Sequence, residues 1–344
     1  MPLTDESRAD WGGDESGLIT GHLFDDGGRA SPVDSREAAR LLEKRRLDPV
    51  PADASFLWLH FNLAHVGARR WLERHAGLSE GFHEALGSSA RSTRVERDGD
   101  SLVAVVNDML FDFDFDASEI STLWVGLERH LVVTGRHQPL RSIDALRTHV
   151  RNGEAMRSPV ALLERLLRAQ AEVLIETVRR ATVRTDEVED QLLAARPSGN
   201  RARLGGLRRL LVRLQRLLAP EPASLFRLLQ HPPAWVSAID VQDLREVNEE
   251  FSVVLSDMAS LQERIKLLQE EVAASVNESN GRSLFVLTVV TVLALPINIL
   301  AGLFGMNVGG VPLAGDPHGF WVIVAIVIVF TLVACWLALR RKDD

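Results

Sequence analysis

Cysteine is nearly missing from this sequence. Of 344 residues one is cysteine, Cys335, and it lies inside an uncharged run near the C-terminus. That count excludes a disulfide framework and a thiolate zinc site, and places the soluble part in a reducing compartment. Histidine occurs ten times, yet no two stand at the i, i+4 spacing of a helical metal site, so no resident metal ligand can be named. His60 and His65, close in sequence, are expected at the surface or as helix caps. Glycine-rich phosphate loops, nucleophile elbows and metal-hydrolase motifs are absent, which argues against an enzyme and against a tightly bound cofactor. Met1 to Gly17 is polar and acidic without an apolar core. A signal or transit peptide is not expected there, and a disordered N-terminus, 1–17, is.

Charge is absent altogether from one stretch, and the chain is organised around it. Leu284 to Phe304 is 21 residues without Asp, Glu, Lys or Arg. As a helix it would be about 31 Å long, the thickness of a bilayer's hydrocarbon core. A second uncharged run, Phe320 to Leu339, follows. The pair reads as transmembrane helix 1 (284–304), an extracytoplasmic loop (305–319) and transmembrane helix 2 (320–339). Arg282 precedes the first, and Arg340, Arg341 and Lys342 follow the second, whereas the loop offers Asp316 and His318. Basic flanks stay inside, so both termini, including the basic tail 340–344, are expected in the cytoplasm.

Two helices cannot enclose a wet path, so a transporter built this way is an oligomer. Thr288, Thr291 and Asn298 fall on one stripe of the first span, which continues through Asn277, Gly281, Leu284, Leu295, Gly302 and Gly305. The stripe lines a shared path, or it holds helices together as polar residues in membranes often do. Leu284 and Leu295 on it are dewetting gates or packing residues. Pro296 kinks the helix or frees the Val292 carbonyl toward the path. Tightly held zinc wants His or Cys, and the first span has neither. Hydroxyl and amide oxygens suit a cation that keeps its water.

The remaining chain reads as soluble. Leu18–Phe24, Phe56–Phe61, Leu102–Phe113 and Ile120–Val133 are expected as strands, with helices at Glu37–Lys44, Ala68–His75 and Glu80–Leu86, making a mixed α/β domain, 18–157. The Asp112 to Asp116 run begins like a calcium loop but has Ala117 at the glycine position and Leu123 at the final glutamate; a hairpin with Phe inward is expected. A helical hairpin region, 158–235, pairs Pro159–Ala195 with an arginine-rich helix, Arg201–Leu218. That helix lacks aromatics for stacking, has Asp186, Glu187, Glu189 and Asp190 as expected partners, and sits in a chain of net charge −8, so no nucleic acid is expected. Leu244, Val247, Phe251, Val254, Met258, Leu261, Ile265, Leu268 and Val272 step by three and four, a coiled-coil seam. It runs through a stalk, 236–283, into the first span. One helix from Val236 to Phe304 would be about 100 Å long. The fold class expected is an α+β cytoplasmic domain (a mixed α/β sheet domain plus a long helical hairpin) joined by a very long stalk helix to two C-terminal transmembrane helices.

Leu300-Ala301-Gly302-Leu303-Phe304-Gly305-Met306-Asn307 resembles the signature of the CorA superfamily of divalent-cation transporters, in which Gly-Met-Asn closes the first of two terminal spans. Val308-Gly309-Gly310-Val311-Pro312 resembles the zinc-transporter branch, ZntB, as do Trp58-Leu59-His60-Phe61-Asn62, the Arg91–Arg97 segment and Leu217-Leu218-Ala219-Pro220. The resemblance implies a homopentamer in a cell inner membrane, with Gly305, Met306 and Asn307 as its outer selectivity ring. Asn307 also suits a helix C-cap. It further implies zinc uptake coupled to protons; neither span contains Asp, Glu or His, so the coupling would use Asp316 or His318 at the loop mouth. Magnesium is the alternative cargo. That branch carries an acidic residue soon after the tripeptide, whereas Val308 to Leu313 is uncharged. The rival from another class is a membrane-anchored receptor or scaffold that transports nothing.

Overall fold

The computed structural model describes residues 13–47, 55–88, 93–114, 119–194, 200–306, 312 and 317–340. The chain divides into two compact units, 1–269 and 270–344. The first is built on a seven-stranded sheet of β1 (Leu18–Phe24), β2 (Ala30–Pro32), β3 (Phe56–Asn62), β4 (Arg94–Asp98), β5 (Ser101–Met109), β6 (Ile120–Glu128) and β7 (Leu131–Arg136). Its order is β2-β1-β3-β7-β6-β5-β4. Only β3 and β7 pair in parallel; the other neighbours are antiparallel.

Strand alternation sorts β3 onto two faces. Leu57, Leu59 and Phe61 join a core with Val103, Val105 and Val133, covered by α1 (Ser35–Leu47), α2 (Val66–Trp71) and α3 (Glu80–Gly87). On β6, Gly126 lets α3 approach: a Cβ there would lie 2.9 Å from the Phe82 ring. Nearby, Trp124 Nε1 donates to the Ala85 carbonyl at 2.9 Å. Phe56, Trp58 and His60 alternate with the first set, and the helices α4 (Arg141–Arg151) and α5 (Pro159–Leu193) pack on the sheet through contacts to β5 and β6.

Several expectations change. Ile120–Val133 is two antiparallel strands, because Arg129 and His130 supply a polar two-residue turn and Glu128 pairs with Leu131 across it. The Leu102–Phe113 strand ends at Met109. Phe113 is nonetheless buried, with Arg141 Cζ 5.5 Å above its ring; Phe115 to Ser118 lie outside the described residues. Helices α4 and α7 (Pro220–Gln230) were not expected, nor were the short or charged edge strands β2 and β4. Residues 14–17, counted above with a disordered start, form a turn in which Asp14 Oδ1 accepts from Ser16 N, Ser16 Oγ and Leu18 N; residues 1–12 lie outside the described residues.

The long helices follow their sequence patterns closely. Ser158 caps α5, accepting from Ala161 N at 2.9 Å, with Pro159 in the first turn. α6 spans Asn200–Leu218 and α8 spans Ala238–Phe304, 67 residues without interruption at Pro296. Asp240 ties the starts of α5 and α8 together, accepting from Ser158 Oγ and from Ser237 Oγ, each at 2.6 Å. All nine seam residues of α8 are buried in the single chain. From Leu244 to Leu268, within the first unit, the seam is therefore already filled by this chain's own helices, and a coiled coil between copies is not needed to cover it there. Ion pairs fix that packing: Arg168 meets Glu250 at 2.9 Å, and Arg264 meets Asp186 at 2.7 Å and also Glu189. Asp186 and Glu189 are two of the four acids expected to face the arginine-rich α6; a third, Glu187, does line a pocket with Arg203, Gly206 and Leu207 of that helix. Three residues apart, Asp186 and Glu189 share one face of α5, and that face belongs to α8. Arg208 of α6 instead donates to Gln269 at 3.2 Å.

Candidate ion path

Within 270–344, α8 carries its uncharged stretch and α9 (Gly319–Arg340) follows. By length and composition α8 can cross a membrane, at a mean hydropathy of 2.5 in its most apolar window, none of which is buried; Gly319–Val333 is a shorter apolar helix. A helix this apolar with no protein cover requires another apolar environment.

Thr288, Thr291, Asn298, Leu284 and Leu295 are all exposed on α8. At 100° per residue they fall within a sector of about 80°. Thr288 Oγ1 donates to the Leu284 carbonyl and Thr291 Oγ1 to the Leu287 carbonyl, both at 2.8 Å. Each hydroxyl proton is thus used inside the helix, and the oxygen presents lone pairs outward. First-shell waters of a cation point their hydrogens away from it, so an array of acceptors matches a hydrated cation. Asn298 adds a carboxamide that has no partner among the described residues. No carboxylate, imidazole or thiolate stands in 284–304 to strip the ion, and among the described residues no group of three His, Cys, Asp or Glu could hold a metal.

Helix α8 stops at Gly305, whose N–H closes on the Ala301 carbonyl at 2.9 Å. A Cβ at Gly305 would lie 2.9 Å from that same oxygen, so a side chain forces the backbone to shift where the Gly-Met-Asn segment begins. We expect Gly305→Ala to reduce ion flux by about tenfold, the equivalent of about 1.4 kcal/mol, measured as initial rates in proteoliposomes; a rate equal to the native one would show that this turn does not set the mouth. Met306 is exposed. Asn307 and Asp316 lie outside the described residues. His318 is exposed in the turn before α9, and its carbonyl accepts from Val322 N at 3.2 Å.

A sequence model of the family described as CorA-like Mg2+ transporter protein matches residues 53–341. The chain belongs to this CorA-like family. Among curated relatives, the divalent cation transporter CmaX of Pseudomonas aeruginosa is 28% identical over 334 residues, covering 96% of this chain and 97% of that protein. The zinc transport protein ZntB of Yersinia enterocolitica is 26% identical over 281 residues, 81% of this chain and 86% of the relative. The structure of full-length CmaX superposes with a TM-score of 0.78 at 27% identity, over 96% of this chain and 99% of that one. CorA-like relatives are transporters and not enzymes, in line with the missing catalytic motifs.

Buried polar groups of the CorA-like sheet domain carried no sequence signal. His65 caps α2 as expected, Nδ1 accepting from Gly67 N at 3.1 Å, but His60 is fully buried instead of at the surface. Arg136 Nε donates to His60 Nε2 at 3.1 Å. Because arginine can only donate, Nε2 is bare and the proton sits on Nδ1, which donates to Thr134 Oγ1 at 2.9 Å. Trp58 Nε1 donates to the same oxygen at 3.0 Å. Burial, with the Arg136 charge beside it, holds His60 well below the usual histidine range, and burial lowers Arg136 to about 10. His60 is a neutral structural link.

Proposed function

We propose that this chain carries divalent metal cations across a membrane as a homo-oligomer, most simply a pentamer, with α8 of each copy lining a shared central path. The observation that carries this reading is the exposed stripe of outward-facing oxygen acceptors on an uncharged, uncovered helix. The domain assignment follows: a cytoplasmic domain and hairpin (18–157 and 158–235), a stalk (236–283), a pore-lining span (284–304), the loop (305–319) and a lipid-facing span (320–339), in a cell inner membrane with both termini inside.

Thr288, Thr291 and Asn298 hold the ion's water shell along the path. Leu284 and Leu295 narrow it where no polar group supports water. Gly305, Met306 and Asn307 form the outer ring. Zinc is the preferred cargo: Val308 to Leu313 gives the mouth no negative field to concentrate magnesium, and the ZntB relatives are named for zinc. Coupled protons, where they move, use Asp316 or His318, since neither span carries Asp, Glu or His. Magnesium is the second reading, favoured by the description of the family.

The test is reconstitution of purified protein into liposomes holding a zinc-sensitive dye, repeated with a magnesium dye and with an imposed pH gradient. Zinc entry above that of empty liposomes supports the reading; no entry of either metal leaves a receptor or scaffold. Asn307→Ala is expected to lower flux at least tenfold while cross-linking shows the same oligomer. Native flux in that variant removes Asn307 from the ring.

A further inference from the structure

Glu221 stands in the first turn of α7, directly after Pro220. An acidic residue there commonly meets solvent and the free N–H groups of the helix start. Glu221 is instead fully buried, and neither carboxyl oxygen has a hydrogen-bond donor among the described residues. The Gln170 side chain of α5 lies next to it. Its Nε2 donates to the Asn107 carbonyl of β5 at 2.7 Å, while its Oε1, also buried, has no donor. Turning the amide over would set Oε1 against the Asn107 carbonyl, so its orientation is pinned. Three buried acceptor oxygens, two on Glu221 and one on Gln170, thus lack a donor among the described residues, and a proton on Glu221 would supply an O–H that Gln170 Oε1 can accept.

We propose that Glu221 is a proton-binding site: a carboxylic acid at neutral pH whose hydrogen bond to Gln170 fastens the start of α7 to α5, and whose ionisation loosens that helix. The surroundings favour the neutral form. Asp108 on β5 is the charged group whose field reaches Glu221. Its own charge is already served by Ser142 N at 2.6 Å, Ser142 Oγ at 2.7 Å and Met109 N at 2.7 Å, with Arg141 of α4 acting on it from α4. On β4, which packs on α7, Arg94 is paired with Glu96 at 3.6 Å and Arg97 donates to the Gly99 carbonyl at 2.7 Å. Among the described residues no cation acts on Glu221 to hold it ionised. Burial pushes the Glu221 carboxyl up to about 8 from a usual value of 4.5, opposed by a smaller pull from the nearby Gln170 amide, whose Nε2 is already spent on the Asn107 carbonyl, and assisted least by Asp108.

The sign follows from which form holds the proton. Between 4.5 and about 8 the docked helix binds a proton that the undocked one has lost. Rising pH therefore favours undocking, by about tenfold per unit, with little change outside that window. This holds whatever ion the membrane part carries. The experiment is amide hydrogen exchange on the full chain in lipid nanodiscs from pH 6 to pH 9, corrected for intrinsic rates, read at Leu225 to Gln230 against α5 amides as reference. Native α7 protection is expected to fall about tenfold per unit toward pH 8, and Glu221→Gln to flatten that dependence. A native profile already flat, or a Glu221→Gln profile parallel to it, overturns the site. If Glu221→Gln does not fold, the infrared carboxylic-acid stretch of the native chain decides: it must be present at pH 7 and bleach by pH 9. Zinc or magnesium chloride raising α7 protection in the native chain, but not in Glu221→Gln, would make this a metal site and overturn the proton.

Discussion

Divalent-ion flux is expected to fall at least tenfold when Asn298 is replaced by leucine, with the oligomer still assembling. In the proposed path each copy contributes one carboxamide at this level, and the ring supplies the acceptors that hold a cation's waters. A leucine ring of similar size closes the same space with apolar surface, and a constriction without polar groups expels water. An ion that cannot keep its shell there has no compensating ligands, because the span has no carboxylate, imidazole or thiolate. Asn298→Gln keeps the chemistry and should retain much of the flux. Leu293→Ile, on the opposite side of α8, should leave it unchanged. Initial rates of zinc-dye quenching in proteoliposomes measure all three; native flux in Asn298→Leu would mean that the stripe faces something other than the path.

Thr134→Val is expected to destabilise the sheet domain by about 2–5 kcal/mol, because two buried donors lose one acceptor. Trp58 Nε1 and His60 Nδ1 both donate to Thr134 Oγ1, and all three residues are fully buried. His60 cannot recover by moving its proton, since Nε2 must stay bare to accept from Arg136. Denaturant unfolding of the full chain, followed by tryptophan fluorescence, reads the change in midpoint. In a Trp58→Phe background the same substitution should cost roughly half as much, since one donor has gone. An unchanged midpoint in the single variant would show that the hydroxyl is not needed as an acceptor.

The order and kind of most long elements were legible in the sequence, because they repeat one period over many residues. The stalk seam is the clearest case: its nine apolar positions predict a helix from Val236, and the helix starts at Ala238. What that periodicity could not say was which surface covers the seam. A three-four pattern is the same whether the partner helix belongs to another copy or to the same chain, and here α5, with its Asp186 and Glu189, already serves. Strand boundaries failed for a related reason. Both faces of the sheet are covered, so β6 and β7 form one apolar run with a three-residue polar break, and alternation no longer marks where one strand ends. The gap at β4 was different: Arg-Val-Glu-Arg-Asp is charged enough to read as a loop, and its strand exists because β5 offers an open edge to pair with.

The sequence alone determined that the chain has one long uncharged stretch able to span a membrane as a helix, a polar stripe along it, a single cysteine, and a Gly-Met-Asn segment at that stretch's C-terminal end. Those are properties of neighbours along the chain, and local spacing is enough to read them. Tertiary structure decided what is buried against what: that His60 is a neutral link and not a surface group, that Asp186 and Glu189 of α5 pair with α8, and that Glu221, 51 positions from Gln170, is buried beside it. Burial and desolvation depend on residues brought together from distant segments, and no window along the sequence contains both partners.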